Sequence, residues 1–301
     1  MKVALLSGGV GGARFARGLI EAAGAPNVTV VGNVGDDLEV LGMSVSPDLD
    51  SILYALAGLN DEERGWGRAD ETWRAMETVS ALGGEDWFRL GDRDLGLHLV
   101  RTQAVRAGDP LSAVTARLAR ALGIEAAILP ATDDRLRTWI DTPAGSFPFQ
   151  EWFVARRHQD EVDGVRFDGD ALPAPGVIDA IESADAILIA PSNPYVSIWP
   201  ILAVSGIRTA LAARRVPAVA VSPLVGGRAV KGPADRMLAR MAGGTTPEHV
   251  AGCYSGLIDA LVVDEADPSG PVAVRRIVTQ TLMTDLAASR RLAETALEAA
   301  A

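Results

Sequence analysis

The sequence predicts a Rossmann-like α/β fold: a doubly wound, mostly parallel sheet carrying a helical insertion and a small β insertion. Six short apolar runs bounded by turn residues carry the first half of that expectation. They show no polar–apolar alternation, as strands buried on both faces of a parallel sheet would not. Helical patterns lie between several of them, and strand–helix–strand alternation winds such a sheet. A glycine-rich turn directly after the first run adds a third sign, because this is where open α/β sheets bind nucleotides.

Taken in order, "KVALL" (2–6) is the first strand, "ARFARGLIEAAG" the first helix and "VTVVGNV" (28–34) the second strand. Residues 51–124 are dominated by helix signals, including "DEERGWGRADETWRAMETVSALGG" and "PLSAVTARLARALG". In "DPLS" an aspartate N-cap precedes a proline at the first helical position. This segment is expected to form a helical cap inserted beside the core, which comprises residues 1–50 and 125–301. The core resumes with "AAILP" (126–130). Residues 137–169 alternate and contain turn signals, so they read as β structure added at an edge. "AILIAPS" (186–192), the helix "GIRTALAARR", "PAVAVSP" (217–223) and "ALVVD" (260–264) follow, and "MTDLAASRRLAETALEAA" closes the chain as an amphipathic helix.

Composition narrows the function classes. The 301 residues carry a formal net charge of −11, which argues against non-specific binding to nucleic acid or anionic membranes. No apolar run approaches the roughly 18 residues of a membrane span. The first residues read as a strand without the regions of a signal peptide, so a cytoplasmic protein is expected. Cys253 is the only cysteine, and His98, His158 and His249 are scattered, so neither a disulfide nor a Cys/His metal site is expected.

Three stretches carry chemistry. "LLSGGVGGARFARGL" passes from strand to helix through Gly8, Gly9, Gly11 and Gly12. Glycines let backbone approach a phosphate, and the helix N-terminus offers free N–H groups, so Gly9, Val10, Gly11, Gly12 and Arg14 are candidate phosphate contacts. The pattern lacks the P-loop Lys-Ser/Thr ending, and Arg14 stands where the third Rossmann glycine belongs. A plain tight turn is the alternative. Next, "NVGDDLEVLGMSVSPDLDSILY" (33–54) holds Asp36, Asp37, Glu39, Asp48 and Asp50 without one basic residue. Asp48 and Asp50 precede a helix expected to start near Ser51. In an extended segment the two would share a face and point into the site together; otherwise one caps the helix. Magnesium suits such a stretch, because it takes one or two carboxylates together with substrate phosphates. Finally, "APSNPYVSIWP" and "SPLVGGRAVKGPADRML" place Ser192, Asn193, Ser197, Gly226, Gly227, Arg228 and Lys231 after strands, on the ligand-binding edge.

"SGGVGGAR", "NVGDD", "SPDLDS", "GWGRADETW", "FRLGDRDLGLHLVRT", "LPATDD", "FQEWFV", "APSNPYVSI" and "SPLVGG...KGPADRML" occur together and in this order. With them the chain resembles the 2-phospho-L-lactate transferase family of coenzyme F-420 biosynthesis over nearly its whole length. "GWG" and "DWF" are most similar to the actinobacterial branch, called phosphoenolpyruvate transferase in some species. The resemblance implies a magnesium-dependent transfer of a phospholactyl or phosphoenolpyruvyl group from a guanosine-diphosphate-linked three-carbon acid. The acceptor would be the ribityl hydroxyl of the deazaflavin Fo, with GMP leaving and a homodimer as the assembly. It further implies Asp50 and Arg89 as deazaflavin contacts, Asp36 and Asp48 as magnesium ligands, and Asp48 or Asp50 as acceptor of the hydroxyl proton. The glycine loop with Ser192 and Asn193 would hold the diphosphate or guanosine. Trp66, Trp87 and Phe88 would form a flat wall for the deazaflavin, or anchor the cap's core, as expected for Trp87. Arg93 and Arg101 would meet the donor or pair internally with Asp92 or Asp94. His98 reads as structural. Two alternatives share the sheet. One is a regulatory nucleotide-sugar-binding family without catalysis, whose pattern lacks "SPDLDS" and "GDRD". The other is a nicotinamide-dependent oxidoreductase, resting on fold analogy alone.

Overall fold

Strand β1 (Val3–Ser7) is buried along its whole length and turns at Gly8 into α1 (Gly9–Ala23) in the computed structural model, which describes residues 1–301. The chain returns as β2 (Val28–Gly32), parallel to β1, and makes a hairpin of β3 (Leu38–Val40) and β4 (Met43–Val45) before α2 (Pro47–Leu56). Three helices follow: α3 (Arg74–Ala81), α4 (Asp92–Arg106) and α5 (Leu111–Ala121). β5 (Ala127–Pro130) pairs with the outer side of β2. A separate antiparallel sheet of β6 (Arg137–Thr142), β7 (Gly145–Pro148) and β8 (Gly164–Asp168) comes next, with a π-helical turn at Glu151–Ala155. Helix α6 (Val177–Glu182), strand β9 (Ala186–Ile189), a second π turn (Pro194–Ile198), α7 (Trp199–Ala203) and α8 (Ile207–Ala212) lead to β10 (Ala218–Val221). The hairpin β11 (Leu224–Val225) and β12 (Arg228–Ala229), then α9 (Ala234–Met241) and α10 (Pro247–Gly252), precede β13 (Ala260–Asp264), β14 (Arg275–Thr279) and α11 (Leu286–Ala299).

The central sheet has the order β14-β13-β10-β9-β1-β2-β5, and all of its pairs are parallel. Counting out from β1, the strand order runs one way through β2 and β5 and the other way through β9. The order therefore reverses between β1 and β9, where doubly wound sheets open a crevice at the strand carboxyl ends. Alternation along β1 divides the core. Val3 and Leu5 face the cluster built with α1, α2, α5 and α11, and Ala4 and Leu6 face the cluster beneath α6–α10 and the β insertion. Each fully buried Leu or Ile in these layers contributes about 1.5–3 kcal/mol of transfer free energy. α3 and α4 complete a smaller third cluster with the β3–β4 hairpin, around Val40, Met43, Val45, Met76 and Leu90.

The six expected strands are present, and the β insertion forms the small sheet. The seventh strand, β14, was not expected. As an edge strand it keeps "RRIVT" only half-buried, so it lacks the apolar run of its neighbours. The helical reading of residues 61–73 does not hold: Gly65 and Gly67 flank Trp66 with φ of 77° and 70°, and the segment is turns and bends. A helical start near Ser51 is corrected to Pro47, with Ser46 at the N-cap position. Proline is suited to that first position, because its missing N–H would find no intrahelical partner there.

Candidate active site

Gly8, at the end of β1, is enclosed. A Cβ there would lie 2.5 Å from Asp48 Oδ2, 2.9 Å from Ser197 Cβ and 3.1 Å from Asn33 Cβ. Gly9 takes a φ of 69°, and a Cβ on Gly12 would sit 2.5 Å from Ser7 Oγ and 2.7 Å from Ser192 Oγ. Ser192 Oγ donates to the Gly8 carbonyl at 2.7 Å, tying the loop after β9 to the loop after β1. The first turn of α1 has no acidic residue and no side-chain cap. Asp48 takes a hydrogen bond from the Gly9 N–H, and the N–H groups that follow, with the positive dipole end, suit an anion, which is what a phosphate cradle requires.

The carboxylates gather beside this loop, each with its own partner. Asn33, fully buried, donates through Nδ2 to Asp36 Oδ1 (3.1 Å), Asp48 Oδ2 (2.9 Å) and the Val196 carbonyl (3.2 Å), and its Oδ1 accepts from the Gly35 N–H (2.8 Å). The other Asp36 oxygen accepts from Gln150 Nε2 at 3.0 Å. Asp37 accepts from Ser46 Oγ at 2.7 Å. Glu39 is exposed on the hairpin. Burial pushes the Asp36 carboxyl well above its ordinary range, helped by the charges of Asp48 and Asp37. Burial likewise raises Asp37 to about 7 and Asp48 to about 6, against hydrogen bonds from Ser46 and Asn33 respectively. The negative charge of residues 33–54 is therefore held by neutral donors and partial neutralisation.

Asp48 and Asp50 do not share a face. Both lie in the first turn of α2, where residues two apart point in nearly opposite directions. Asp48 faces the glycine loop, while Asp50 turns away into a forked ion pair with Arg101, one arm of which is 3.1 Å. Arg101 is fully buried and also contacts His98 Nδ1 at 3.3 Å; His98 Nε2 lies 3.2 Å from Asp94, which accepts from Tyr54. The internal partner of Arg101 is thus Asp50 and neither Asp92 nor Asp94. Asp92 instead accepts from the backbone N–H groups of Arg74 and Ala75, capping α3, and Glu71 accepts from Arg93 and Asp94, capping α4. Arg93 itself is exposed. His98 is structural, a bridge inside this network.

The aromatic residues form a separate corner. Trp66 is 48% exposed and lies 6.2 Å from Trp73, whose ring has Arg64 at 5.0 Å and Arg89 at 4.9 Å. Trp66 also lines a crevice with Val10, Arg14 and Ser51, so it borders the glycine loop. Phe88 packs on the third core cluster, and Trp87 stacks edge-on against it at 5.6 Å. Both rings are partly buried, but only Phe88 packs on that cluster, so Phe88 is the anchor and Trp87 is not. Asn193 caps the π turn through the Tyr195 N–H. Gly226 and Gly227 form the two-residue β11–β12 turn with φ of 59° and 73°, and the Gly227 N–H donates to Asp267. Arg228 is exposed beside them, whereas Lys231 reaches back to donate to the Gly65 carbonyl at 3.2 Å.

The residues present fit magnesium. Two buried carboxylates, Asp36 and Asp48, converge on one amide beside an anion cradle, and their raised proton affinity is what a nearby cation would offset. No group of three or more Asp, Glu, His or Cys side chains forms a closed cage. A hard cation sharing its ligands with phosphate and water needs none. Sequence reasoning missed Asn33 and Gln150 as site residues. "GNVGDD" places an amide next to the acids, a signal that was available; nothing in "FQEWFV" marks its glutamine.

The model of the 2-phospho-L-lactate transferase CofD family matches residues 3–298. A phosphoenolpyruvate transferase of Streptomyces coelicolor is 46% identical over 310 residues, covering 99% of this chain and 97% of that protein. One from Streptomyces griseus is 45% identical over 313 residues, covering 100% and 98%. Among solved structures, protein BH3568 of Bacillus halodurans is similar with a TM-score of 0.65 at 18% identity, covering 98% of this chain and 99% of that one, a likeness of fold. With its family model matched almost end to end and such relatives over its full length, the chain belongs to the 2-phospho-L-lactate transferase family.

Proposed function

We propose that this protein transfers a phospholactyl or phosphoenolpyruvyl group from a guanosine-diphosphate-linked donor to the terminal ribityl hydroxyl of the deazaflavin Fo, releasing GMP. Family membership carries the coarser statement, a transferase of such a group in coenzyme F-420 biosynthesis. The observation behind the finer reading is the meeting, across Gly8, of the glycine-rich N-terminus of α1 with the buried pair Asp36 and Asp48. N–H donors attract a phosphate and carboxylates repel it; together they suit a phosphate with its cation.

In this reading the hydroxyl oxygen attacks the phosphorus that bears the three-carbon acid. The bond from that phosphorus to the bridging oxygen breaks, and GMP carries the electron pair away. The N–H groups of α1 hold the diphosphate, with Ser192 and Asn193 on the facing loop. Asp36 and Asp48 would hold magnesium, which would supply positive charge against the negative charge gathering on the diphosphate. Of Asp48 and Asp50, Asp48 is the one that stands beside the glycine loop, so it is the acid placed to take the hydroxyl proton. Asp50, engaged with Arg101, positions the first turn of α2. Trp66, beside Trp73 and Arg89, offers the flat surface for the deazaflavin, and Phe88 supports that corner from below. A homodimer is the proposed assembly, tested by light scattering.

The test is fluorescence titration of Fo with and without magnesium and GDP, followed by chromatographic detection of GMP during turnover. Saturable Fo binding, and GMP release lost in Asp48→Asn, are expected. A folded protein that binds GDP but never Fo would overturn the acceptor assignment and leave a nucleotide-binding regulator.

A further inference from the structure

The carboxylates come from the Rossmann core, but one of their donors does not. Gln150 belongs to the β insertion, 114 residues from the Asp36 it holds, and is 6% exposed. The insertion grips the carboxylate loop at a second point as well, since the Thr138 N–H donates to the Gly35 carbonyl at 2.6 Å. Gly35 is fitted to that contact: a Cβ there would lie 2.7 Å from Thr138 Oγ1 and 2.6 Å from Pro200 Cβ.

The segment around Gln150 is unusually fixed. Phe149 before it and Trp152 after it are buried in the main core, and Phe149 stacks on Phe153 at 5.3 Å and 19°. The π turn Glu151–Ala155 begins at the next residue, a widened helical turn of the kind found often at functional sites. His158 stacks on Phe153 at 5.0 Å, and Arg236 donates to its carbonyl at 2.5 Å. A glutamine held this firmly, with its amide spent on a buried carboxylate, does more than fill space.

We propose that Gln150 is a positioning residue for the divalent cation. With Asn33 it forms a two-amide clamp that takes one lone pair on each Asp36 oxygen and so fixes the orientation in which Asp36 meets the metal. Both amides donate only through NH₂ groups, so the clamp orients the carboxylate without adding charge. The β insertion thereby becomes part of the active site through a residue that acts on Asp36. The proposal rests on the magnesium reading above.

Outer partners of metal ligands typically change affinity about 10- to 100-fold when removed. The test uses the full-length protein, MnCl₂ as the probe and the electron paramagnetic resonance signal of free Mn²⁺ as the readout, with and without GDP. Gln150→Met keeps the length and removes the donor; Gln150→Asn keeps an amide but withdraws it. The expected result is Mn²⁺ binding weakened about tenfold or more in Gln150→Met and less in Gln150→Asn, with GDP affinity in EDTA unchanged. In turnover the apparent KM for magnesium rises while kcat at saturating magnesium recovers. Thermal melts identify either variant that fails to fold, in which case the other decides. Wild-type and variant proteins binding Mn²⁺ equally would overturn the clamp alone. A wild type that binds no Mn²⁺ would overturn the magnesium reading and the clamp with it.

Discussion

Replacing Arg101 with methionine tests what holds the acidic site together. Arg101 is fully buried, forks onto Asp50 and contacts His98. Methionine keeps most of the volume but leaves Asp50, itself 5% exposed, as an uncompensated buried charge. Breaking a buried pair from one side costs about 3–5 kcal/mol. In a domain of this size each kcal/mol lowers Tm by roughly 2–4 °C, so a fall on the order of 10 °C is expected. Asp50→Asn should also destabilise, because it leaves the guanidinium short of its counter-charge. The double variant should recover part of the loss, since replacing both partners of a buried pair is often close to neutral. The assay is a double-mutant cycle by urea unfolding, followed by circular dichroism with magnesium absent. A cycle with a coupling energy near zero, or a single variant as stable as wild type, would refute the reasoning. The same cycle qualifies any binding experiment that uses Asp50→Asn, because lost Fo binding there can arise from a displaced α2 as readily as from a lost contact.

Gly18 in α1 abuts the Ser289 and Arg290 backbone of α11, so Gly18→Ala should destabilise by about 1–3 kcal/mol in urea unfolding while leaving the glycine loop's chemistry intact. Gly12→Ala places a methyl group against Ser7 and Ser192 at the cradle itself; a loss of GDP affinity larger than the loss of stability is expected, by calorimetry beside thermal melts. Asp37 has a folded-state pKa near 7 against an ordinary value of 3.8, raised by burial. The folded chain therefore holds this proton where the unfolded chain has released it, so its contribution to stability is present at low pH and is lost as pH rises from about 4 to 7. Urea midpoints in EDTA should fall across that window, and Asp37→Asn should flatten the slope; an unchanged slope would refute the assignment.

The legible part of the fold was the part whose residues are buried on both faces. Runs such as "AILIA" and "ALVVD" have few other places to go, and the sheet follows from them. β14 was illegible because an edge strand needs only one paired side, and its two leading arginines leave only Ile277 and Val278 as an apolar signal. In the site, the glycine loop and the acids were readable as residue types, while their directions were not. Whether Asp48 and Asp50 point together depends on one fact, the start of α2 at Pro47 instead of near Ser51, and the serine–proline pair Ser46–Pro47 was the local signal for it. Gln150 was hidden for a different reason. Its role exists only through a contact across 114 residues, which no local pattern encodes.

The site's charge is divided so that its acids do different work. Arg101 is the one arginine among the buried residues, and it is committed to Asp50, the acid that turns away from the crevice. Asp36 and Asp48, which converge on Asn33 beside the glycine loop, receive amide donors in place of a cation. Had Arg101 paired with Asp48 instead, the fixed positive charge would have satisfied that carboxylate in advance and weakened its pull on a mobile cation. Neutral amides orient the two acids and leave their charge uncancelled. The raised pKa values of Asp36 and Asp48 are the cost of that arrangement in the ligand-free protein, and a bound cation would reverse it. It follows that adding magnesium with GDP at pH 7.5 should stabilise the protein more than GDP alone. Asp36→Asn should lose that added increment, whereas its stability in EDTA reflects two opposed changes, the desolvated charge removed and one of the two amide donors left without its acceptor.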